Sequence, residues 1–489
     1  MCSSDLDEPL QVQYQRARDL QRLHKLKLKM RRVTHPRRVP RRASSSADET
    51  GANRWSPILT GSLASEALDA VRAISQALRA SPRAQYQGGS PGPASEPSLA
   101  AGHAGQAVLH GYLAKAGLTR RARQTSEALL DEAAEAVSEV SLPPWFYQGF
   151  PGVAWAVAHL DDAKERADAD PGEDIDAALD AYLSRSPWVG AYDLISGLVG
   201  LAVYALERLP RAGARHMLEL IVERLEETSE RTEAGVRWRT PPGFLPDDLR
   251  AKAQEGCYNL GLAHGVPGVI ALLGGVCAAG IAPTKARSLL DGAVSWLLSQ
   301  KLPPDAGSSF PAWTAPGVPA VPVRSAWCYG DPGVAAALLC AARAVDGASW
   351  EREALEIARR ASARPPDETG VRDAGLCHGA AGLGHVFNRM FQATGDPGLG
   401  EAARSWFART LELRRPGCGI AGYAACESRS GEPARWRDDQ GLLTGAAGIA
   451  LALLAAVTPI EPAWDRMLLA CLRPTGWVAA LPPSSTYGR

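Results

Sequence analysis

Seven Gly-x-x-Gly tetrapeptides stand in one phase along this chain, opening at Gly102, Gly149, Gly197, Gly265, Gly330, Gly379 and Gly445. Successive starts are 47 to 68 residues apart. Most are followed by an apolar, helix-forming run, such as VIALL after GVPG or IALALL after the last GAAG. A period of that length is one helical pair plus a loop of variable size, and such units pack on one another as a single body. The repeat therefore overrides the two to four domains that 489 residues would otherwise suggest.

Between the tetrapeptides lie amphipathic segments with helical spacing, such as SEALDAVRAISQALRA and ARHMLELIVERLEETSE. No run of alternating β-branched residues is long enough for a sheet. The Pro- and Gly-rich stretches PPGFLPDD, LPPDAGSSFPAWTAPGVPAVP and RRPGCGIAGYAACESRSGEP read as loops. One apolar and one amphipathic class of helix imply an inner and an outer layer. The expected fold is all-α, an α/α toroid of seven helical hairpins. An open superhelix would need polar caps at both ends, whereas the last unit is the most apolar, which favours closure.

Residues 56–489 are expected to be this toroid domain. Residues 1–55 are strongly basic and then Ser-rich. They read as a disordered tail or a mis-assigned start, the sharper alternative being a basic arm for an acidic partner or leader peptide. Lys plus Arg and Asp plus Glu both number 53 and the pI is near 7.1. Global charge thus supplies no argument for a nucleic-acid or membrane partner, and no nucleic acid is expected. Nine cysteines without a close-spaced framework, and no secretory signal, point to a reduced, cytoplasmic compartment. Residues 441–460 are as long and apolar as a membrane span, yet they open on the same tetrapeptide and lack aromatic or basic flanks. They read as a helix buried on all sides.

Aligning the units on the first glycine turns the repeat into a coordinate system. The residue immediately before it is Ala101, Gln148, Ser196, His264, Tyr329, His378 and Thr444 in units one to seven. Two before it stand Ala100, Tyr147, Ile195, Ala263, Cys328, Cys377 and Leu443; four before it, in unit three, stands Asp193. In a closed ring, equivalent slots face one central point, and glycines let the loops crowd there without Cβ clashes. Converging helix N-termini would make that point electropositive. Asp193, His264, Cys328, Tyr329, Cys377 and His378 should therefore meet. A lone Cys or His is usually a core residue; two of each in adjacent slots of neighbouring units suit a metal. Two thiolates and one imidazole suit zinc, with a fourth position open as in catalytic sites, where water or a substrate thiol is activated.

These residues resemble the lanthionine synthetase C-like family of lanthipeptide cyclases. The strings that carry the resemblance are YDLISGLVG (192–200), NLGLAHGVPG (259–268), RSAWCYGDPG (324–333) and GLCHGAAG (375–382), and it spans roughly residues 95–460. It implies a seven-hairpin toroid with Cys328, Cys377 and His378 as ligands of one Zn2+ per chain. It implies that His264 and Asp193 form the acid/base pair, with Arg324 and Tyr329 as further catalytic candidates. Arg324 would stabilise an enolate oxygen or hold Asp193. The implied substrate is a ribosomal precursor peptide bearing dehydroalanine or dehydrobutyrine, to which cysteine thiols add in a Michael-type reaction. A separate dehydratase and an exporter are the implied partners, with the membrane met only indirectly through such a complex.

Zinc-dependent addition of a small thiol such as glutathione, zinc-dependent prenyl transfer and a non-catalytic scaffold presenting peptide to a dehydratase are the alternatives. Outside the slots, His103, Cys277 and Cys340 read as structural. Cys257 and Cys471 carry no pattern. Cys418 and Cys426 read as loop or core cysteines rather than a redox pair. Trp145, Trp188, Trp313 and Trp436 fall in or near loops, where they either line a peptide groove or anchor the loops.

Overall fold

The computed structural model describes residues 55–80, 96–161, 170, 172–427 and 433–472. Of the basic segment 1–55, only Trp55 lies within them. It is buried and donates its indole N–H to Ala455 O at 2.9 Å, so it belongs to the folded body.

Among the described residues, fourteen helices build the toroid. The inner layer is α2 (His103–Lys115), α4 (Phe150–Leu160), α6 (Leu198–Arg208), α8 (Val266–Ala278), α10 (Asp331–Ala344), α12 (Ala380–Thr394) and α14 (Ala446–Val457). The outer layer is α1 (Gly61–Ala80), α3 (Ala122–Glu139), α5 (Glu173–Leu183), α7 (Ala212–Thr228), α9 (Pro283–Ser299), α11 (Ala348–Ser362) and α13 (Pro397–Glu412). Each inner helix touches the next in order, and α14 touches α2, which closes the ring. Every inner helix has the first glycine of a tetrapeptide as its N-cap.

The two layers differ as their sequences require. Helix α14 buries every residue from Ala446 to Ala456. Helix α11 buries only Ala354, Ile357, Ala358 and Ala361, one stripe at i, i+3, i+4 and i+7. The apolar segment 441–460 is thus an inner helix, and among the described residues no helix is long and apolar enough to cross a membrane. Unit seven takes its outer helix from the far end of the chain: α14 packs on α1, and Ile58 N–H and Leu59 N–H both donate to Ala456 O. Closure is therefore fixed by the two ends of the domain meeting in one unit.

The glycines are required mainly by close approach. A Cβ on Gly149 would lie 1.8 Å from Pro143 O, and one on Gly382 would lie 1.9 Å from Leu376 O. Gly330 alone among the seven N-caps has positive φ, at 128°. The letters without the phase mean nothing: Gly395 (GDPG) ends α12 in the left-handed region, and Gly419 (GIAG) lies in a loop.

The sheet-free expectation needs one correction. Among the described residues three two-stranded antiparallel ribbons occur: β1 (Ser229–Thr232) with β2 (Gly235–Trp238), β3 (Tyr258–Asn259) with β4 (Trp313–Thr314), and β5 (Ala425–Glu427) with β6 (Arg435–Arg437). They are too short to show an alternating pattern, and they stiffen loops rather than form a layer.

Below the rim, residues 461–472 lie in the bore. Tyr147 OH donates to Met467 O at 2.7 Å and Trp327 Nε1 to Leu468 O at 2.9 Å. Asp465 is fully buried and holds His385 Nε2 at 2.7 Å together with the Arg389 guanidinium. Arg466 reaches Glu207, which also holds His159. The segment thus ties together units two, three, five and six as a floor.

Candidate functional site

A ring of backbone hydrogen bonds builds the rim. The residue two before each first glycine accepts at its carbonyl from the neighbouring unit: Ala100 N–H to Tyr147 O (2.9 Å), Tyr147 to Ile195 (3.4 Å), Leu194 to Ala263 (3.1 Å), Ala263 to Cys328 (3.3 Å), Cys328 to Cys377 (3.3 Å), Cys377 to Leu443 (2.7 Å) and Leu443 to Ala100 (3.1 Å). Six of the seven donors are the equivalent residue; unit three alone slips by one, to Leu194. The slots aligned in the sequence are thus neighbours in space, linked around the whole circle.

This ring sets Cys328 beside Cys377, with His378 next in the chain. One ligand atom from each of Cys328, Cys377 and His378 lies within 4.8 Å of the others. Among the described residues no other group of three or more His, Cys, Asp or Glu is so placed. Cys328 is buried, while Cys377 and His378 are half-buried. The two thiols titrate as a pair. The hydrogen bond from Cys377, with those from His378 and the charge of Arg324, pulls Cys328 well below the ordinary thiol range against the opposing effect of burial. The resulting negative sulfur, with burial, pushes Cys377 well above it. The first proton leaves readily, which suits a site that takes up a cation.

His264 and Asp193 form the second feature. Asp193 Oδ2 lies 2.6 Å from His264 Nδ1, and the His264 side chain keeps 40% of its surface open. Burial by itself would lower the His264 pKa; the hydrogen bond and charge of Asp193, helped by Cys328, hold it above the ordinary histidine value. Asp193 Oδ1 accepts from Ser196 N–H at 2.8 Å and from Ser196 Oγ at 3.2 Å.

Tyr329 stacks on His264, with ring centroids 5.7 Å apart and planes 21° from parallel. Its hydroxyl donates to Asn259 Oδ1 at 3.1 Å, and Asn259 Nδ2 donates to Thr240 Oγ1 at 2.9 Å. Burial, with the charges of Cys328 and Asp193, pushes the phenol well above its ordinary range, so it stays neutral. Gly261 makes room for the ring: a Cβ there would meet Tyr329 Cδ1 at 2.6 Å. The Arg324 guanidinium approaches Cys328 Sγ at 3.9 Å.

All seven expected site residues thus come from units three to six and face one side of the rim. Asn259 and Ser196 did not stand out in the sequence. A signal for Asn259 was present: six residues before the first glycine, units four to seven carry Asn259, Arg324, Asp373 and Asp439. Asp373 Oδ1 accepts from Gly375 N–H and its Oδ2 from Cys426 N–H, and Asp439 holds Gly441 N–H and the Thr444 hydroxyl. In units six and seven this second slot braces the turns that carry the first.

Outside the site, His103 pairs with Glu132 at 3.4 Å, and Cys340 donates to Cys471 O. The eight cysteines described are all free thiols, Cys418 and Cys426 included. Trp188 is buried and donates to Ala191 O, a loop anchor, whereas Trp436 on β6 is 55% exposed.

A solved structure described as nisin cyclase matches with a TM-score of 0.63 at 18% identity, covering 85% of this chain and 98% of its own. At that identity the match establishes the shared toroid. The family model for lanthionine synthetase C-like proteins matches residues 93–469, from just before the first glycine slot to the floor beneath the rim. By that match, the chain belongs to the lanthionine synthetase C-like protein family.

Proposed function

We propose that this protein closes thioether rings in a dehydrated peptide, adding the thiol of a peptide cysteine to the β-carbon of a dehydroalanine or dehydrobutyrine. The observation that carries this reading is the three-ligand Cys2His cluster beside a hydrogen-bonded His–Asp pair on one rim. Family membership and a structural relative that is a cyclase by name support it.

The donor set fits zinc: two thiols that release their first proton easily and one imidazole, three protein ligands for an ion that takes four. Cys328, Cys377 and His378 would hold about one ion per chain, and a zinc ion there would lower the pKa of a substrate thiol. The rest falls to the chain. The substrate thiol releases its proton to solvent, from which His264 is later reprotonated; the thiolate bonds to the β-carbon, and the double-bond electrons move onto the α-carbon and its carbonyl. That carbon then needs a proton. His264, kept protonated by Asp193 toward neutral pH, is the donor. Asp193 fixes its ring through Nδ1, and Tyr329 covers one face. Arg324 adds positive charge beside Cys328.

One S–H and one C=C become one S–C and one C–H, so ring closure leaves the mass unchanged. The test follows from that. A synthetic peptide with one dehydroalanine and one cysteine is incubated with the protein and then treated with a thiol-alkylating reagent. Closure removes the alkylatable thiol at constant mass. If the protein instead joins a free small thiol to the dehydroalanine, the mass rises by that thiol, and small-thiol addition replaces this reading. A peptide that keeps both groups defeats both.

A further inference from the structure

The residue immediately before the first glycine is His264, Tyr329 and His378 in units four to six, each with a place at the site. In unit three it is Ser196. We propose that Ser196 is a positioning residue for the proton-delivery step, locking the Asp193 carboxylate so that Oδ2 holds His264. This rests on the proposed cyclisation for its effect on rate, but not for its effect on the His264 hydrogen bond.

The geometry assigns the two oxygens of Asp193 to different tasks. Oδ1 takes both donors of Ser196, N–H at 2.8 Å and Oγ at 3.2 Å. Oδ2 takes His264 Nδ1 at 2.6 Å. The Asp193 main chain is fixed as well, because its carbonyl accepts from Gly197 N–H at 3.2 Å and Gly200 N–H at 3.3 Å. The remaining freedom is rotation about the Cα–Cβ and Cβ–Cγ bonds. Two donors on Oδ1 remove it, and Oδ2 is then aimed at the imidazole. An Nδ1–H held in this way fixes the tautomer and the plane of the ring.

Units six and seven, whose carboxylates stand six residues before the first glycine rather than four, show the contrast. Asp373 gives both oxygens to backbone N–H groups, those of Gly375 and Cys426. Asp439 gives one to Gly441 N–H and the other to the Thr444 hydroxyl and Arg437. Those carboxylates serve the scaffold with both oxygens. Asp193 serves it with one, and Ser196 is what separates the two tasks.

The experiment compares Ser196→Ala and Ser196→Thr in the purified full chain with the metal it carries. The first measurement is the downfield proton resonance of the His264 Nδ1–H in histidine-labelled protein, assigned by its loss in His264→Ala. Ser196→Ala should shift or broaden it, and Ser196→Thr should keep it. The second is cyclisation of the peptide bearing one dehydroalanine and one cysteine. Ser196→Ala should lower kcat about tenfold, the worth of one hydrogen bond to a charged group, with KM unchanged and recovery in Ser196→Thr. An unchanged resonance and kcat in Ser196→Ala would overturn the proposal. So would an equal loss in both variants accompanied by a fall in melting temperature, which marks a purely structural role. If the unaltered protein leaves the peptide open, the cyclase reading fails, and the resonance still decides the role of Ser196. If Ser196→Ala does not fold, Ser196→Gly takes its place in both measurements.

Discussion

Among the described residues, two His–Asp pairs of nearly equal length sit in very different surroundings. At the rim, His264 meets Asp193 at 2.6 Å with 40% of its side chain open. In the floor, His385 meets Asp465 at 2.7 Å with neither side chain exposed. Burial dominates His385 and, with the Arg389 charge, holds its pKa below the ordinary value despite Asp465. At the rim no arginine or lysine among the described residues is paired with Asp193, and His264 is raised. A histidine–carboxylate contact therefore says little by itself. Exposure, and whether a second cation claims the carboxylate, separate the proposed proton donor from a structural tie.

The largest effect should come from what the rim has and the floor is not seen to have, a Cys2His cluster. Cys328→Ala or Cys377→Ala should abolish both zinc retention and ring closure, read by metal analysis and by the alkylation assay. Full zinc content in either variant would remove it from the ligand set. Next come the histidines themselves. His264→Ala should keep its zinc and its melting temperature while losing ring closure by about 10²–10⁴-fold, the usual weight of a general acid. His385→Ala should do the reverse. It should lose about 2–4 kcal/mol of stability by emptying a packed site and unbalancing the Asp465 cluster, and keep its activity per folded molecule. Equal losses of activity in the two variants would erase the distinction between the pairs.

How far the sequence revealed this contrast follows from periodicity. The slots that carry Asp193, His264, Cys328, Cys377 and His378 repeat with the glycines, so alignment alone brings them to one rim. The toroid was legible for the same reason, through its alternation of apolar and amphipathic helices. The floor was not. Asp465 and Arg466 follow the last repeat with no partner nearby in sequence, and their contacts to His385, Arg389 and Glu207 arise only when the ring closes. Pairing α14 with α1 was equally hidden, because it joins opposite ends of the domain. Ser196 was visible in its slot, but a serine carries no sign of chemistry until the carboxylate beside it is placed.

Acidity offers a finer test, since the two pairs carry opposite signs. The folded His264 pKa lies above the unfolded value of about 6.5, so its contribution to stability is full below that pH and lost as pH rises through the folded pKa. The folded His385 pKa lies below the same reference, so the unfolded chain binds the extra proton, and stability falls as pH drops below about 6.5. The melting-temperature gap between the unaltered protein and His264→Gln should therefore narrow as pH rises. The gap to His385→Gln should narrow as pH falls. Matching slopes would mean that burial has not separated the pairs.

The smallest expected effect concerns the face of His264 rather than its edge. Tyr329 is stacked on the ring and anchored through Asn259 to Thr240. Asn259→Ala removes the acceptor and leaves a buried hydroxyl unpaired, which should lower kcat about three- to tenfold. Tyr329→Phe removes the hydroxyl instead and keeps the stack, so its effect should be smaller. Adding Tyr329→Phe to Asn259→Ala should then change little, because the partner is already gone, and the cycle should return a coupling of about 1 kcal/mol. If Tyr329→Phe alone falls as far as His264→Ala, the phenol itself delivers the proton. His264 would then be the residue that aligns it, and the open rim pair would resemble the buried one more closely than its exposure implies.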